Sequence, residues 1–278
     1  IFFWVNCKMA KAKPTTNNNN NNNKNKNKNK KPTSTIKTIG RKVKALPLSG
    51  SEPVYSEKKW GSKKGIRSNN CYDYAFNDYS NFRTQKSSPG NKRGMRNNNY
   101  GPIKACGKLP VGVKSNNPTS VYRTKADMKC SPGFFKAMMF VAPSSGRNLF
   151  NSGDFHFYRQ YGFVEYKPKK GDTYEKIAKF FNVPVSRVKK AGPLKPGKVM
   201  KFKANGFAHK RGWATGPLLE DAKGKRIVDP RFSSRNYPGL NYKLYCSSFC
   251  VKNKGVVIGK NSSNVRKKGF NVNPIFKL

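Results

Sequence analysis

Acidic residues are scarce in this chain. It has 12 aspartates and glutamates against 58 lysines and arginines, which gives a formal net charge of +46, and its first 50 residues contain no acid. Self-repulsion on this scale requires a counter-charge from a partner. The candidate partners are nucleic acid, an anionic membrane leaflet, an acidic glycan or wall polymer, and the acidic surfaces of partner subunits in an assembly. Charge alone leaves all of them open.

Long apolar runs and paired cysteine motifs are also missing. Without a run of about 18 apolar residues, a membrane-spanning helix is not expected. The six cysteines include no Cys-x-x-Cys pair, so we expect neither a disulfide scaffold nor a zinc site, and no cofactor. Cys246 and Cys250 could pair only if a turn brought their α-carbons within about 7 Å. Free buried thiols are the simpler expectation.

Residues 1–50 are of low complexity. A run of asparagines, residues 17–23, leads into a Lys-Asn alternation, residues 24–30. Such a segment cannot bury enough apolar surface to fold alone. It is predicted to be a disordered tail, or a basic arm that becomes ordered on acidic neighbours. The opening IFFWVNCK is too short for a convincing signal peptide, and Met9 is the more natural start of the chain.

The remaining sequence has the composition of a globular protein, with 35% apolar and 13% aromatic residues over the whole chain. A compact helix is predicted over residues 71–79. Residues 134–142, FFKAMMFVA, form either a buried strand or a short helix, since periodicity does not separate the two. Residues 154–161 are predicted as a strand. Downstream, GKRIVDPRF (224–232) predicts a strand ending in a turn, and YKLYCSSFCV (242–251) one or two core strands.

Residues 163–204 carry a helical pattern between two strand-like ends. Asp172 with Glu175 predicts a capping box at the start of a first helix. Pro184 opens a second short helix, which Gly192 ends. The apolar residues of the first helix follow at helical spacing, at Tyr174, Ile177, Ala178 and Phe181. The predicted order is therefore strand, helix, helix, strand.

This order, with GDTYEKIAKFFNVPVSRVKKAG at its centre, resembles the LysM family. The resemblance implies a βααβ fold that binds N-acetylglucosamine-containing polymers such as chitin or peptidoglycan. In LysM modules the glycan lies in a groove between the first turn and the second helix. The alternative is a LysM fold retained only for packing. The residues that the resemblance places at the glycan groove are Gly171, Asp172, Thr173, Tyr174, Lys195, Pro196 and Gly197.

The chain has only two histidines, His156 and His209, and they flank this module closely. If the ends of the module lie together, the flanking segments form a β-hairpin. Both histidines would then lie on adjacent strands. The module is therefore predicted to be an insertion into an α+β host domain made of residues 51–162 and 205–278.

Cys71 lies at the predicted start of a helix that Asn70 could cap. The helix dipole and a nearby imidazolium are expected to lower the pKa of this thiol and favour the thiolate. The order of cysteine helix and histidine strand, with CYDYA, resembles papain-like cysteine peptidases and CHAP-type amidohydrolases. The resemblance implies Cys71 as nucleophile, His156 as general base, and His209 or Asp154 as the group that orients the base. The alternative is that these are buried structural residues.

Two classes of function follow from these features. The charge, the asparagine tract and the wall-hydrolase organisation favour a structural virion component, similar in style to the basic minor capsid proteins of large icosahedral DNA viruses. Such a protein would lie in the capsid shell or just beneath it, bound to other capsid proteins with acidic surfaces. The alternative is an enzyme, a LysM-guided cysteine amidase or peptidase acting on cell-wall polymer. A nucleic-acid-binding role is third, since aromatic and basic residues alternate in DFHFYRQYGF.

Overall fold

The computed structural model describes residues 43–80, 86–90, 103–144 and 153–258. Most of the basic arm, including Met9 and the asparagine run, lies outside the described residues. The end of the arm, residues 43–50, is described and belongs to no helix or strand. Leu46 is buried there, and its carbonyl accepts hydrogen bonds from the side chains of Gln160 and Asn205. These contacts fix the last residues of the arm against the folded unit.

A six-stranded sheet in the order β1-β8-β2-β3-β4-β5 forms the centre of the fold. Every pairing in it is antiparallel. A separate two-stranded ladder joins β6 and β7. The strands are β1 Val121–Thr124, β2 Phe134–Ala142, β3 Asp154–Tyr166, β4 Met200–Lys210, β5 Pro217–Leu218, β6 Asn236–Tyr237, β7 Leu240–Asn241 and β8 Leu244–Lys252.

The helices of the described residues are short. They are α1 Glu57–Trp60, α2 Lys63–Ser68, α3 Cys71–Ala75, α4 Leu109–Asn116, α5 Tyr174–Phe181 and α6 Val185–Lys189, with a 3-10 turn at Pro230–Phe232. The mixture of these helices with an antiparallel sheet makes the fold α+β, as predicted. None of the helices in the described residues is long and apolar enough to cross a bilayer.

The central strands are buried on both faces. The segment FFKAMMFVA is a strand, β2, whose residues from Phe135 to Ala142 are all buried. Helix α3 covers one face of the sheet, where Tyr72 stacks on Phe157 with ring centroids 4.8 Å apart. The irregular segment that precedes β8 covers the other face, with Tyr242 4.9 Å from the ring of His156. Side chains alternate between these two cores along β3.

The predicted hairpin around the module is confirmed. Strands β3 and β4 pair antiparallel, with Tyr158 opposite His209. His156, two residues before Tyr158, therefore points to the same face as His209. Both strands continue past an irregularity at Tyr161 and Phe163 into the module. The module is thus the far end of the same hairpin, with α5 and α6 as its connection.

The order strand, helix, helix, strand over residues 163–204 is also confirmed. Ile177, Ala178 and Phe181 are buried, as the helical spacing predicted. The predicted cap was wrong by one residue. Thr173 is the N-cap, and its hydroxyl accepts from the N–H of Lys176 at 3.1 Å. The carboxylate of Asp172 instead accepts from the N–H of Lys169 inside the turn, at 2.7 Å.

The expectation of free cysteine thiols was wrong for four of the six cysteines. Cys106 bonds to Cys246 and Cys130 bonds to Cys250, across sequence separations of 140 and 120 residues. Cys246 and Cys250 do not pair with each other because both lie on β8, where four residues span about 13 Å. Among the described cysteines, only Cys71 is free. Both disulfides tie loops near the sheet to the same strand.

Two other predicted elements differ from the structure. The helix that begins at Cys71 ends at Ala75, because Phe76 leaves helical geometry and Asn77 takes a positive φ of 56°. Residues 224–232 are not a regular strand. The N–H of Ile227 donates to the carbonyl of Leu219, and its carbonyl accepts from the N–H of Phe207. This segment therefore packs beside the sheet edge and then turns. The last predicted segment is one long strand, β8.

Candidate functional site

One cavity of about 600 Å³ contains Cys71, His156 and Asp154 in its wall. It opens where the ladder between β3 and β4 stops, since the first paired residues are Tyr158 and His209. Residues of β3 before Tyr158 have no partner on β4. The N-terminus of α3 fills this space beside β3. The predicted nucleophile and the predicted base therefore line the same cavity.

A capping box holds Cys71 at the start of α3. The side-chain oxygen of Asn70 accepts from the N–H groups of Tyr72 and Asp73, and the Asp73 carboxylate accepts from the Asn70 N–H at 2.6 Å. The Asn70 amide also donates to the carbonyl of Ser87 at 2.7 Å. These bonds fix the residue before the thiol on both its backbone and its side chain.

The thiol of Cys71 lies against the backbone on both sides of His156. Its sulfur is 3.8 Å from the carbonyl oxygen of Phe155, and the N–H of Phe157 also bonds to it. The residue is only 5% exposed. The thiol thus occupies hydrogen-bonding positions of β3 beyond the end of its ladder with β4.

The expected low pKa of this thiol was wrong. Burial raises the pKa of Cys71 well above its ordinary value, and the nearby charge of Asp154 raises it further. The N–H of Phe157 opposes this rise but does not overcome it. In this structure the cysteine is therefore a neutral thiol. A preformed thiolate–imidazolium pair is not the resting state.

The two histidines are joined by a short hydrogen bond. His156 Nε2 lies 2.7 Å from His209 Nδ1. On the far side, His209 Nε2 lies 3.0 Å from the carbonyl oxygen of Glu220. A carbonyl can only accept, so His209 Nε2 carries the proton and His209 Nδ1 is the acceptor. His156 Nε2 must then donate, which leaves His156 Nδ1 with a free lone pair.

Burial keeps both imidazoles neutral. The pKa of His209 is lowered from 6.5 to about 4 by burial, partly opposed by its bond to Glu220. The pKa of His156 is also lowered well below 6.5, first by burial and then by His209 and Arg211. The hydrogen-bond directions derived above, which require neutral rings, hold at neutral pH.

Of the two predicted orienting residues, the structure places only His209 on the base. Asp154 accepts hydrogen bonds from the hydroxyl of Tyr242 at 2.7 Å and from the N–H of Phe155 at 2.8 Å. Burial raises the pKa of its carboxyl. Asp154 lies in the cavity wall and fixes Tyr242, which packs on the ring of His156. Asp154 thus acts on the base indirectly, by holding Tyr242 against the ring of His156.

The arrangement has the parts needed for acyl transfer. It holds a thiol, a neutral imidazole with a lone pair, and a second imidazole that orients the first. The N–H of Cys71 is the first amide of α3, and such amides have no partner within their helix. An amide of this kind can donate to the oxyanion that forms when the thiol attacks a carbonyl. No group of three potential metal ligands occurs in the part of the chain that the structure describes.

Several residues of the cavity wall could not be found from sequence reasoning. Arg211 and Trp213 come from the loop after β4 and Tyr237 from the short strand β6, all far from Cys71 in the chain. Arg211 packs over the ring of Tyr237 at 4.7 Å. The one available signal was the position of Arg211, two residues after His209. The others are placed by tertiary packing alone.

The predicted glycan-binding residues also come together in part. The hydroxyl of Tyr174 donates to the carbonyl of Gly192 at 3.3 Å and accepts from the N–H of Leu194 at 3.2 Å. These bonds join the first turn of the module to the segment after α6. Asp172 and Gly197 line a second cavity of about 760 Å³. The other four predicted residues are all exposed: Gly171, Thr173, Lys195 and Pro196.

Comparison with protein family models, curated proteins and solved structures finds no match to this chain. The roles of Cys71, His156 and His209 therefore rest on the contacts described above.

Proposed function

We propose that this protein is a thiol-dependent amide hydrolase, an amidase or peptidase, in which Cys71 is the nucleophile and His156 the general base. The observation that carries the proposal is the hydrogen-bonded chain from Glu220 through His209 to His156. That chain leaves a basic nitrogen on a ring in the wall of the cavity that holds the free thiol.

The reaction proceeds through an acyl-enzyme. The Cys71 proton moves to Nδ1 of His156 as the sulfur attacks the carbonyl carbon of the amide and a C–S bond forms. The C–N bond then breaks, and His156 gives its proton to the leaving amine. Water attacks the thioester, its proton passes to His156, and the carboxylic acid leaves with the thiol restored. His209 accepts the hydrogen bond of His156 throughout and holds its ring in place.

The neutral resting state determines how the base works. Since burial disfavours both the thiolate and the imidazolium, proton transfer must accompany the attack on the substrate. The acid limb of activity is therefore expected below the ordinary histidine pKa of 6.5, because His156 remains unprotonated there. A preformed ion pair would give a different signature, with fast alkylation of the thiol in the absence of substrate.

The decisive experiment compares matched cysteine variants of the full chain. Wild type, Cys71→Ser and Cys7→Ser are incubated with chitin-containing and peptidoglycan walls, and released amines are measured. Cys7 serves as the control for general thiol chemistry, since the proposal gives it no role. Release that is lost only in Cys71→Ser, with an acyl adduct on Cys71 seen by mass spectrometry in wild type, supports the proposal. Equal release by all three proteins refutes it.

We further propose that residues 163–204 form a LysM-like module inserted in a papain-like domain, and that the module binds an N-acetylglucosamine polymer. The hydrogen bonds of Tyr174 to Gly192 and Leu194 support it, because they hold the first turn of the module against the segment just before Lys195. A chitin and peptidoglycan pull-down tests it with Lys195→Ala, from the predicted groove, against Lys190→Ala, an exposed lysine of the same module. Equal retention of both variants would count against the groove.

A second proposed role is that of a virion component held by acidic partners. It is supported by the module surface, where the lysines and arginines between residues 163 and 204 are all exposed, in a chain of net charge +46. Such charges give many weak, salt-sensitive contacts. Quantitative mass spectrometry of purified particles, before and after nuclease and high salt, tests this role. Absence from the particles excludes it, and release by nuclease alone indicates nucleic acid as the partner.

A further inference from the structure

Arg211 places a positive charge beside the candidate catalytic groups. It is exposed, it lines the cavity of Cys71 and His156, and its guanidinium lies 4.7 Å from the ring centroid of Tyr237. None of the ion pairs found in the described residues includes it. A guanidinium that lies over an aromatic ring can still direct its N–H edges to a planar anion.

Other groups of the same wall also have hydrogen-bond donors to spare. The indole N–H of Trp213 is buried and has no hydrogen-bond partner in the described part of the chain. The ammonium of Lys86 lies 5.9 Å from the Trp213 ring centroid. The acid of the wall, Asp154, already accepts two hydrogen bonds. The hydrogen-bonding groups that remain available in the described wall of the cavity are therefore mainly donors, which suits a ligand rich in acceptors.

We propose that the substrate carries a carboxylate next to the scissile amide, and that Arg211 binds this carboxylate. The inference rests on the proposed amide hydrolysis and names its substrate class, an acidic peptide. Planar carboxylates match the guanidinium fork with two parallel hydrogen bonds. The cavity of about 600 Å³ has the size of sites that hold short peptide segments. Arg211 is thus a specificity-determining residue, while bond cleavage belongs to Cys71 and His156.

The test uses paired fluorogenic peptide amides of aminomethylcoumarin that differ only in glutamate or glutamine, placed at the first or second acyl residue. Wild type, Arg211→Gln, Arg211→Lys and a control, Arg187→Gln, are assayed at about pH 8, above the histidine pKa range. Arg187 is an exposed arginine on α6. We expect wild type and control to prefer glutamate by about 10- to 100-fold in kcat/KM. Arg211→Gln should lose this preference, and lysine should restore part of it.

Two results overturn the inference: equal cleavage of both peptides by wild type, or an undiminished preference in Arg211→Gln. Failure of the hydrolase proposal is distinguished by Cys71→Ser. If no peptide is cleaved in a Cys71-dependent way, binding of the same peptides to this variant is measured by calorimetry. Glutamate-selective binding that needs Arg211 then supports the carboxylate site without hydrolysis, and unselective binding overturns it as well.

Discussion

Acidification is expected to destabilise this protein through its buried histidine pair. The pKa of His209 falls from 6.5 to about 4 on folding, and that of His156 is lowered as well. In the unfolded chain both rings regain their ordinary pKa. Between these pKa values the unfolded chain binds more protons than the folded one, so the free energy of unfolding decreases as the pH falls from about 6.5 towards 4.

The size of this loss follows from the pKa difference of His209. One pKa unit corresponds to about 1.4 kcal/mol, so the change from 6.5 to about 4 is worth about 3 kcal/mol at pH 4 and below. His156 adds to the loss in the same direction. Asp154 acts in the opposite direction, because its raised pKa means that the folded carboxyl holds a proton more tightly. The pH dependence of the free energy of unfolding therefore combines several groups, and a variant is required to measure the contribution of His209 alone.

His209→Asn is that variant, since an amide cannot titrate but can still accept from His156. Urea unfolding is followed by circular dichroism without reductant, at several pH values between about 7.5 and 4.5. At the upper end the variant should be less stable by about 1–3 kcal/mol, from the lost bond to Glu220. Below pH 6.5 the difference from wild type should shrink by about 1.4 kcal/mol per pH unit. A difference that stays constant with pH would show that His209 is not buried as a neutral ring.

Three further substitutions test the base, a disulfide and the packing of the hairpin. His209→Asn should retain at least about 10-fold more amide hydrolysis than His209→Ala, because its amide oxygen replaces the acceptor for His156; equal rates would mean that this hydrogen bond has no role in the reaction. Cys130→Ser should lower the free energy of unfolding by about 3–5 kcal/mol, since the bond to Cys250 spans 120 residues; a urea midpoint equal to that of wild type would argue against the bond. Gly206→Ala should cost about 1–3 kcal/mol, because an added Cβ would lie 2.9 Å from the carbonyl oxygen of Ile227; calorimetry of both proteins gives the difference, and an unchanged Tm would contradict this close packing.

Local signals in the sequence were enough to predict the main pieces of the site. Asn70 was predicted as the cap of the cysteine helix, and it is. The two histidines were placed on adjacent strands because each flanks a module whose ends must meet, and the hairpin confirms it. In each case a short stretch of chain carries its own physical reason, such as a capping side chain or the closure of a hairpin.

Other features depend on distant parts of the chain and were missed. Six cysteines allow fifteen full pairings, and spacing gave no reason to join Cys130 to Cys250. The pKa of Cys71 was predicted in the wrong direction, because the helix-start argument ignores how deeply β3 and the loops bury the thiol. Arg211 reaches the site from a loop and Tyr237 from a two-residue strand, and neither segment has a sequence pattern of its own. Such positions are set by the packed core rather than by local sequence.

The continuous β3–β4 hairpin makes the distance between module and cavity a fixed length. Strand β3 has 13 residues, with His156 near its first end and the module at its last. Ten residues from His156 to Tyr166 correspond to about 33 Å of β-structure. A polymer bound by the module would therefore reach Cys71 at a fixed distance from the point where the module holds it. Cleavage products of a regular polymer would then have a preferred size, whereas a flexible tether between binding and cutting would give a broad distribution.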